Sequence, residues 1–370
     1  MKQRHIAFML EQAYGHIIPT LGITLELVRR GHRVSYAVTR DFASAISRIG
    51  AQAVVLKPLE TRPNILATLT DHAVTDQNYQ ALEELRRART DDSLLQLEAL
   101  YRDDKPDLIM QDECEDFAGR SLALKWGIPQ IRICPQLLPE TFPETVAEDQ
   151  LVMVTVPRFF QNHLERFDER FKFVGFIAEG RRRFFKPWQV TDDGRKVVLI
   201  SVTTGLLPQI EFCKMAVNAF RGQPWKIVLS IGGGLDRVSE ITPADLGELP
   251  ENIQLNRFSS NLDILEHASV FIGQGGQGST LEALYCGVPL LLIPPSSIQD
   301  PVACRVAELG LGARVVAADV SANTLRKHAA SILDDGDTLR RVKLIQQSMR
   351  EEHGAQTAAD IMDGYLAENT

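Results

Sequence analysis

Two short stretches of this chain carry residue types and spacings suited to chemistry. The first is Tyr14-Gly15-His16-Ile17-Ile18-Pro19-Thr20, directly after the apolar run Ile6–Leu10. The run reads as a strand, and Pro19, tolerated in a helix's first turn, places a helix start about there. His16 then falls at a strand's carboxyl end and a helix N-terminus, the ligand side of a doubly wound sheet. The positive end of the helix dipole disfavours a protonated ring, and a neutral imidazole can serve as a general base. Position alone leaves a second role open, a turn histidine bonded to the backbone. An orienting acid can come from Asp112, which follows the strand-like Leu108–Met110. Such a carboxylate stabilises an imidazole as it gains a proton. Glu113, Glu115 and Asp116 are rivals for that role, and a solvated acidic loop is the alternative.

The second stretch is Gly273-Gln274-Gly275-Gly276-Gln277-Gly278-Ser279-Thr280, between the strand-like Val270–Ile272 and a helix over Leu281–Cys286. Its glycines let a ligand approach the backbone, and the first N–H groups of the helix suit an anion such as a phosphate. It is no P-loop, for it lacks the lysine and the spacing, and it lacks the G-x-G-x-x-G dinucleotide spacing too. A ligand-free reading also fits, since Ser279-Thr280-Leu281-Glu282 matches a capping box.

Short apolar runs alternate with longer helical patterns from end to end. Ile6–Leu10, Val34–Val38, Ala53–Leu56, Leu108–Met110 and Ile128–Ile133 read as strands in the first half. Val197–Val202, Ile227–Ile231, Val270–Ile272, Leu290–Ile293 and Arg314–Val316 do so in the second. Such alternation implies α/β architecture, with parallel sheets covered by helices on both faces. The break falls between Phe171 and Arg195, where charge, Pro187 and a polar run interrupt the pattern. The predicted organisation is a domain over 1–178, a linker over 179–194, a second domain over 195–350, and a helix within 351–370 packing back on the first.

The 370 residues hold 40 Lys and Arg against 48 Asp and Glu, a net charge of −8, which argues against a nucleic-acid binder. The one dense basic cluster, Arg181-Arg182-Arg183 with Lys186, reads as a solvated linker. No apolar stretch approaches the roughly 20 residues that span a bilayer. The five cysteines are odd in number and form no C-x-x-C pair, so disulfide scaffolds and zinc clusters are not expected. The expectation is a cytoplasmic protein, monomer or homodimer, with no metal.

At this point the chain resembles a known family. Gly15-His16-x-x-Pro19-Thr20-Leu21-Gly22 is similar to the N-terminal motif of the bacterial macrolide and natural-product glycosyltransferases, of the UDP-glucuronosyltransferase superfamily. Gly275-Gly276-x-x-Ser279-x-x-Glu282-Ala283, then Gly287-Val288-Pro289, Pro294 and Gln299, resembles their donor signature. Leu199–Thr204 and the segment Ile227–Gly234 resemble the opening of their second domain. The resemblance implies a GT-B fold, two Rossmann-like domains with an active site between them. It implies an inverting, metal-independent transfer from a UDP- or dTDP-sugar, a co-substrate rather than a bound cofactor, to a small-molecule hydroxyl. His16 would be the base and Asp112 its partner. Gln274, Gly275, Gly276, Gly278 and Ser279 would hold the diphosphate, Glu282 the ribose and Gln299 the sugar. Phe258, Asn261, Thr204 and Gly233 would complete the donor site, and Tyr14 and Phe117 would touch the acceptor.

Three positions depart from the family pattern. Gln274 stands where the family has histidine, Phe258-Ser259-Ser260-Asn261 stands for Trp-x-Pro-Gln, and Ile298 replaces an acidic residue before Gln299. Asp300 is the candidate to replace that carboxylate. The departures point to a deoxysugar donor, a rebuilt donor site, or an impaired paralogue that supports a second glycosyltransferase. A sugar-nucleotide epimerase of the same architecture is the other alternative.

Overall fold

The computed structural model describes residues 2–57, 91–112, 118–147, 150–189, 193–202, 210–231, 241–257, 259–295, 297 and 299–369. Phe117, Thr204, Gly233, Phe258 and Ile298, with Glu113, Glu115 and Asp116, lie outside them. The chain forms two units, Met1–Arg183 with His353–Thr370, and Phe184–Glu352.

The first unit is built on a parallel sheet of seven strands: β1 (His5–Met9), β2 (Arg33–Val38), β3 (Gln52–Val55), β4 (Leu108–Asp112), β5 (Gln130–Cys134), β6 (Leu151–Val154) and β7 (Phe171–Phe173). The spatial order is β3-β2-β1-β4-β5-β6-β7, so the winding reverses between β1 and β4. All five residues of β1 are buried, as both-face helical cover requires of a parallel strand. On one face Met9 and Ile109 pack with Leu97, Tyr101 and Leu122. On β1 and β2, Phe8 stacks on Tyr36 with ring centroids 4.6 Å apart. Each such side chain taken from water is worth roughly 1.5–3 kcal/mol.

The second unit repeats the plan with six parallel strands: β8 (Val197–Val202), β9 (Lys226–Ile231), β10 (Ile253–Asn256), β11 (Ala268–Gly273), β12 (Leu290–Leu292) and β13 (Gly312–Arg314). The order is β10-β9-β8-β11-β12-β13, and the winding reverses between β8 and β11.

The C-terminal helix Gly354–Asn369 packs on the helix Leu21–Arg29 of the first unit. Small residues permit the approach in this region: a Cβ on Gly354 would stand 2.7 Å from the Val174 carbonyl oxygen. Charge then fixes the helix, for Arg30 reaches Asp360 at 2.7 Å and Asp363 at 2.8 Å.

Several sequence expectations are corrected here. The helical segment after β1 starts earlier than Pro19 suggested. A four-residue helix, Tyr14–Ile17, leads into a 3-10 turn, Ile18–Thr20, and only then into Leu21–Arg29. His16 therefore sits within the first turn of this helical run, ahead of the long helix Leu21–Arg29. Arg181 is not solvated: it is buried, donates from Nε to the Ile177 carbonyl at 2.6 Å and covers the Phe176 ring. Arg182, Arg183 and Lys186 are exposed as expected. The structure adds two strands to those the sequence predicts, Leu151–Val154 and Ile253–Asn256.

Candidate active site

Crevices at the carboxyl ends of strands, where winding reverses, are the ligand sites of open α/β sheets. Both candidate stretches of this chain lie there, one in each unit.

In the first unit, β1 delivers the turn that carries His16, and β4 ends on Asp112. These are the two strands that flank the reversal, with Met9 paired to Gln111. His16 Nδ1 lies 3.0 Å from Asp112 Oδ2. The carboxylate side chain is wholly buried, whereas the imidazole keeps 12% of its surface exposed. The Glu11 N–H donates to the same Asp112 oxygen at 2.6 Å, so the turn itself fixes the acid. A buried carboxylate held by a backbone N–H at a histidine's Nδ1 orients the ring and stabilises the charge it acquires. Tyr14 neighbours them on the same short helix, its ring edge-on to Phe42 at 5.4 Å. Gly15 is exposed, and a Cβ there would meet no atom within 4 Å.

The sequence singled out these residues but passed over Gln12. Its Nε2 donates to the carbonyls of Leu10 at 2.7 Å and Ala37 at 3.0 Å, and its Oε1 accepts from the Thr39 N–H at 2.8 Å. No local pattern marks it, since two of its three partners sit far along the chain, Ala37 on β2 and Thr39 just past it, 25 and 27 residues away.

In the second unit, β11 ends on Gly273 and the chain turns through Gln274, buried, and Gly275, whose φ is +78°. A Cβ on Gly275 would stand 2.9 Å from the Gln299 carbonyl oxygen, so the backbones of Gly275 and Gln299 are in contact. Both the conformation and the contact require glycine. The helix Gln277–Tyr285 starts with Gly276 as N-cap, without a side-chain cap. This overturns the capping-box reading, for Ser279 lies in the first turn rather than at the cap. Its hydroxyl donates back to the Gly276 carbonyl at 3.2 Å. A helix start with no side-chain cap presents N–H groups that suit an anion. Gly278 lies in this same turn, with open space where a Cβ would stand. Glu282 is buried one turn further along the helix.

Asn261 joins this end of the sheet. Its Nδ2 donates to Ser201 Oγ at 3.4 Å, and Ser201 is paired with Gly273 across β8 and β11. Gln274, Gly275, Gly276, Gly278, Ser279, Gln299 and Asn261 are thus gathered around the second reversal point. Asp300 is committed elsewhere, accepting from Arg314 Nε at 2.7 Å. Among the described residues no group of three or more His, Cys, Asp or Glu could hold a metal ion, and no helix is long and apolar enough to cross a membrane.

With this geometry in hand, known proteins place the chain. It is 34% identical to the NDP-glycosyltransferase YjiC of Bacillus licheniformis, over 99% of each chain. It is 32% identical to the demethyllactenocin mycarosyltransferase of Streptomyces fradiae, over 99% of this chain and 87% of that one. The chain belongs to the bacterial natural-product glycosyltransferases of the UDP-glycosyltransferase superfamily. Residues 233–363 match the family described as erythromycin biosynthesis protein CIII-like, C-terminal domain. The crystal structure of the calicheamicin glycosyltransferase CalG4 superposes with a TM-score of 0.81 at 29% identity, covering 99% of each chain. The two doubly wound parallel sheets are therefore those of a GT-B glycosyltransferase.

Proposed function

We propose that this cytoplasmic glycosyltransferase moves a hexose or deoxyhexose from a UDP- or dTDP-sugar to a hydroxyl of a hydrophobic natural product, with inversion and without a metal. The observation that carries the reading is the 3.0 Å contact between His16 Nδ1 and the buried Asp112 carboxylate at the first reversal point. Asp112 holds Nδ1, so Nε2 is the atom that takes the proton from the acceptor hydroxyl. As that O–H bond breaks, the oxygen attacks the anomeric carbon, and the bond from that carbon to the nucleoside diphosphate breaks in line. The imidazolium formed is stabilised by Asp112, and the departing diphosphate by the N–H groups at the start of Gln277–Tyr285. Inversion follows from a single displacement.

The acceptor class rests on the relatives. One is a mycarosyltransferase acting on demethyllactenocin and another an oleandomycin glycosyltransferase. The sugar itself is fixed by fewer groups than the family pattern provides, because Ile298 replaces a carboxylate and Asp300 is taken by Arg314. That loss favours a donor with fewer hydroxyls.

The test is a mass-spectrometric screen of UDP- and dTDP-sugars against polyketide, flavonoid and nucleoside acceptors, with NMR of the product's anomeric proton. The expected product is a glycoside of inverted configuration. Retained configuration, or turnover of donor into an epimer without acceptor, would overturn the reading.

A further inference from the structure

The turn that carries His16 leaves the sheet after β1, and its internal bonds are local. Ala13 N–H donates to the Glu11 carbonyl, and the His16 and Ile17 N–H groups both donate to the Ala13 carbonyl. Such bonds shape the turn without fixing its place over the sheet. Register against β4 comes from the Glu11 N–H on Asp112. Register against β2 comes from Gln12.

The chemistry of that second tie is specific. β1 and β2 pair in parallel as far as Met9 and Ala37. Beyond them β1 ends, while the carbonyl of buried Ala37 and the N–H of half-buried Thr39 can still take partners. The Gln12 amide supplies both, donating to Ala37 O at 3.0 Å and accepting from Thr39 N at 2.8 Å. Its second N–H closes on Leu10 O at 2.7 Å. A primary amide is the side chain that offers two donors and an acceptor in one plane, as a peptide group offers one of each. Gln12 thus extends the parallel ladder by one pair after the main chain has left it.

β2 also holds the far end of the turn. Thr20 Oγ1 donates to the Ile17 carbonyl at 2.7 Å, and the buried Tyr36 hydroxyl lies 2.6 Å from both Thr20 Oγ1 and Thr24 Oγ1. His16 lies between these two anchors in sequence.

We infer that Gln12 is a positioning residue for His16: its amide stands in for a missing strand pair and sets the imidazole's place against Asp112. The inference rests on the proposed role of His16 as base. Misplacement of a reacting group by about 1 Å can cost on the order of a hundredfold in rate.

The test compares wild type with Gln12→Met, which keeps the length and loses the polar atoms, and Gln12→Glu, which turns a donor into an anion facing two carbonyls. Three quantities are read: UDP affinity by calorimetry, kcat and KM with UDP-glucose and a flavonol acceptor, and the ¹⁵N resonances of the His16 ring, assigned with His16→Ala. The inference predicts unchanged UDP affinity and stoichiometry in both variants, kcat lowered tenfold to a hundredfold with the UDP-glucose KM within twofold, and loss of the single Nδ1-protonated pattern. The ring resonances need no substrate. A wild-type kcat together with an unaltered His16 pattern in Gln12→Met would overturn it, as would a loss explained wholly by a lower fraction of UDP-binding protein. If His16→Ala itself retained turnover, the base assignment would fall, while a disturbed ring pattern in Gln12→Met would still support the placement.

Discussion

At the scale of single residues, the chemistry depends on what each side chain can carry. Asp112 does two things with one oxygen, accepting the Glu11 N–H and facing His16 Nδ1. Gln274 is the informative departure. A glutamine can donate a hydrogen bond but never a charge, and charge-assisted bonds exceed neutral ones by roughly 1 kcal/mol. Gln274→His is therefore expected to raise kcat about five- to tenfold below pH 6.5, where the new ring is charged, with a smaller gain at pH 8. An unchanged rate across that range, measured as diphosphate release, would show that residue 274 does not meet the leaving group. This site was only partly legible in the chain. His16, Asp112, Ser279 and Gly275 stand beside strand ends that apolar runs reveal. Gln12 was not legible, because its partners become neighbours only when β1 and β2 pair.

At the scale of elements, two kinds of glycine occupy the two reversal points. Gly275 has a positive φ and touches Gln299, so Gly275→Ala combines backbone strain with a backbone clash. A loss of about 1–3 kcal/mol in the second unit is expected, read as a lower thermal midpoint together with weaker UDP binding. Gly15 is different: its backbone is helical and nothing lies within 4 Å of where a Cβ would stand. Alanine there removes unfolded-state freedom, so Gly15→Ala is expected to hold or raise the thermal midpoint by up to about 1 kcal/mol of stability. If the acceptor approaches His16 through this open space, the added methyl should lower kcat/KM for the acceptor at the same time. A variant with undiminished kcat/KM would show that this space is idle. The elements also show where pattern reading stops. Val197–Val202 is a mostly buried apolar run, and the strand has the bounds the run predicts. Ile253–Asn256 alternates polar with apolar at the sheet edge and so forms no apolar run. The capping-box pattern at Ser279 was satisfied in sequence, yet an extended Gly276 starts the helix three residues before it. Glycine at a cap leaves no side-chain signal of its own.

At the scale of the whole molecule, one doubly wound plan occurs twice, and each copy carries polar groups at its reversal point. The order of strands put the candidate residues there, and strand order was not readable from apolar runs alone. The chain leaves the first unit near Arg183 and returns to it with the C-terminal helix. That return is held by charge: Arg30 joins Glu26 at 2.8 Å to Asp360 and Asp363. The Arg29 guanidinium, hydrogen-bonded to Glu26, holds that carboxyl down at about 2 from its ordinary 4.5, with Arg30 adding to the effect. A depressed carboxyl stabilises the fold above the unfolded value and ceases to do so as pH falls through the folded one. The first unit should therefore lose stability between about pH 4.5 and 2, and Glu26→Gln should flatten that slope in urea titrations. Arg30→Ala leaves Glu26 and Asp363 without a shared cation and should lower the midpoint of the first unit by several degrees. Equal midpoints for Arg30→Ala and wild type would mean that apolar packing and the 3.0 Å contact of His32 Nε2 with Asp363 hold the returning helix without Arg30.

The base assignment is tested most directly by a cycle of single-turnover rates for wild type, His16→Ala, Asp112→Asn and the double variant, at saturating donor. If the two residues work as one unit, His16→Ala should cost at least a thousandfold and Asp112→Asn at least a hundredfold. The double variant should then be no slower than His16→Ala alone, and all four proteins should bind UDP equally. Turnover by His16→Ala near the wild-type rate, or losses that simply multiply in the double variant, would contradict an imidazole–carboxylate pair at the heart of the reaction.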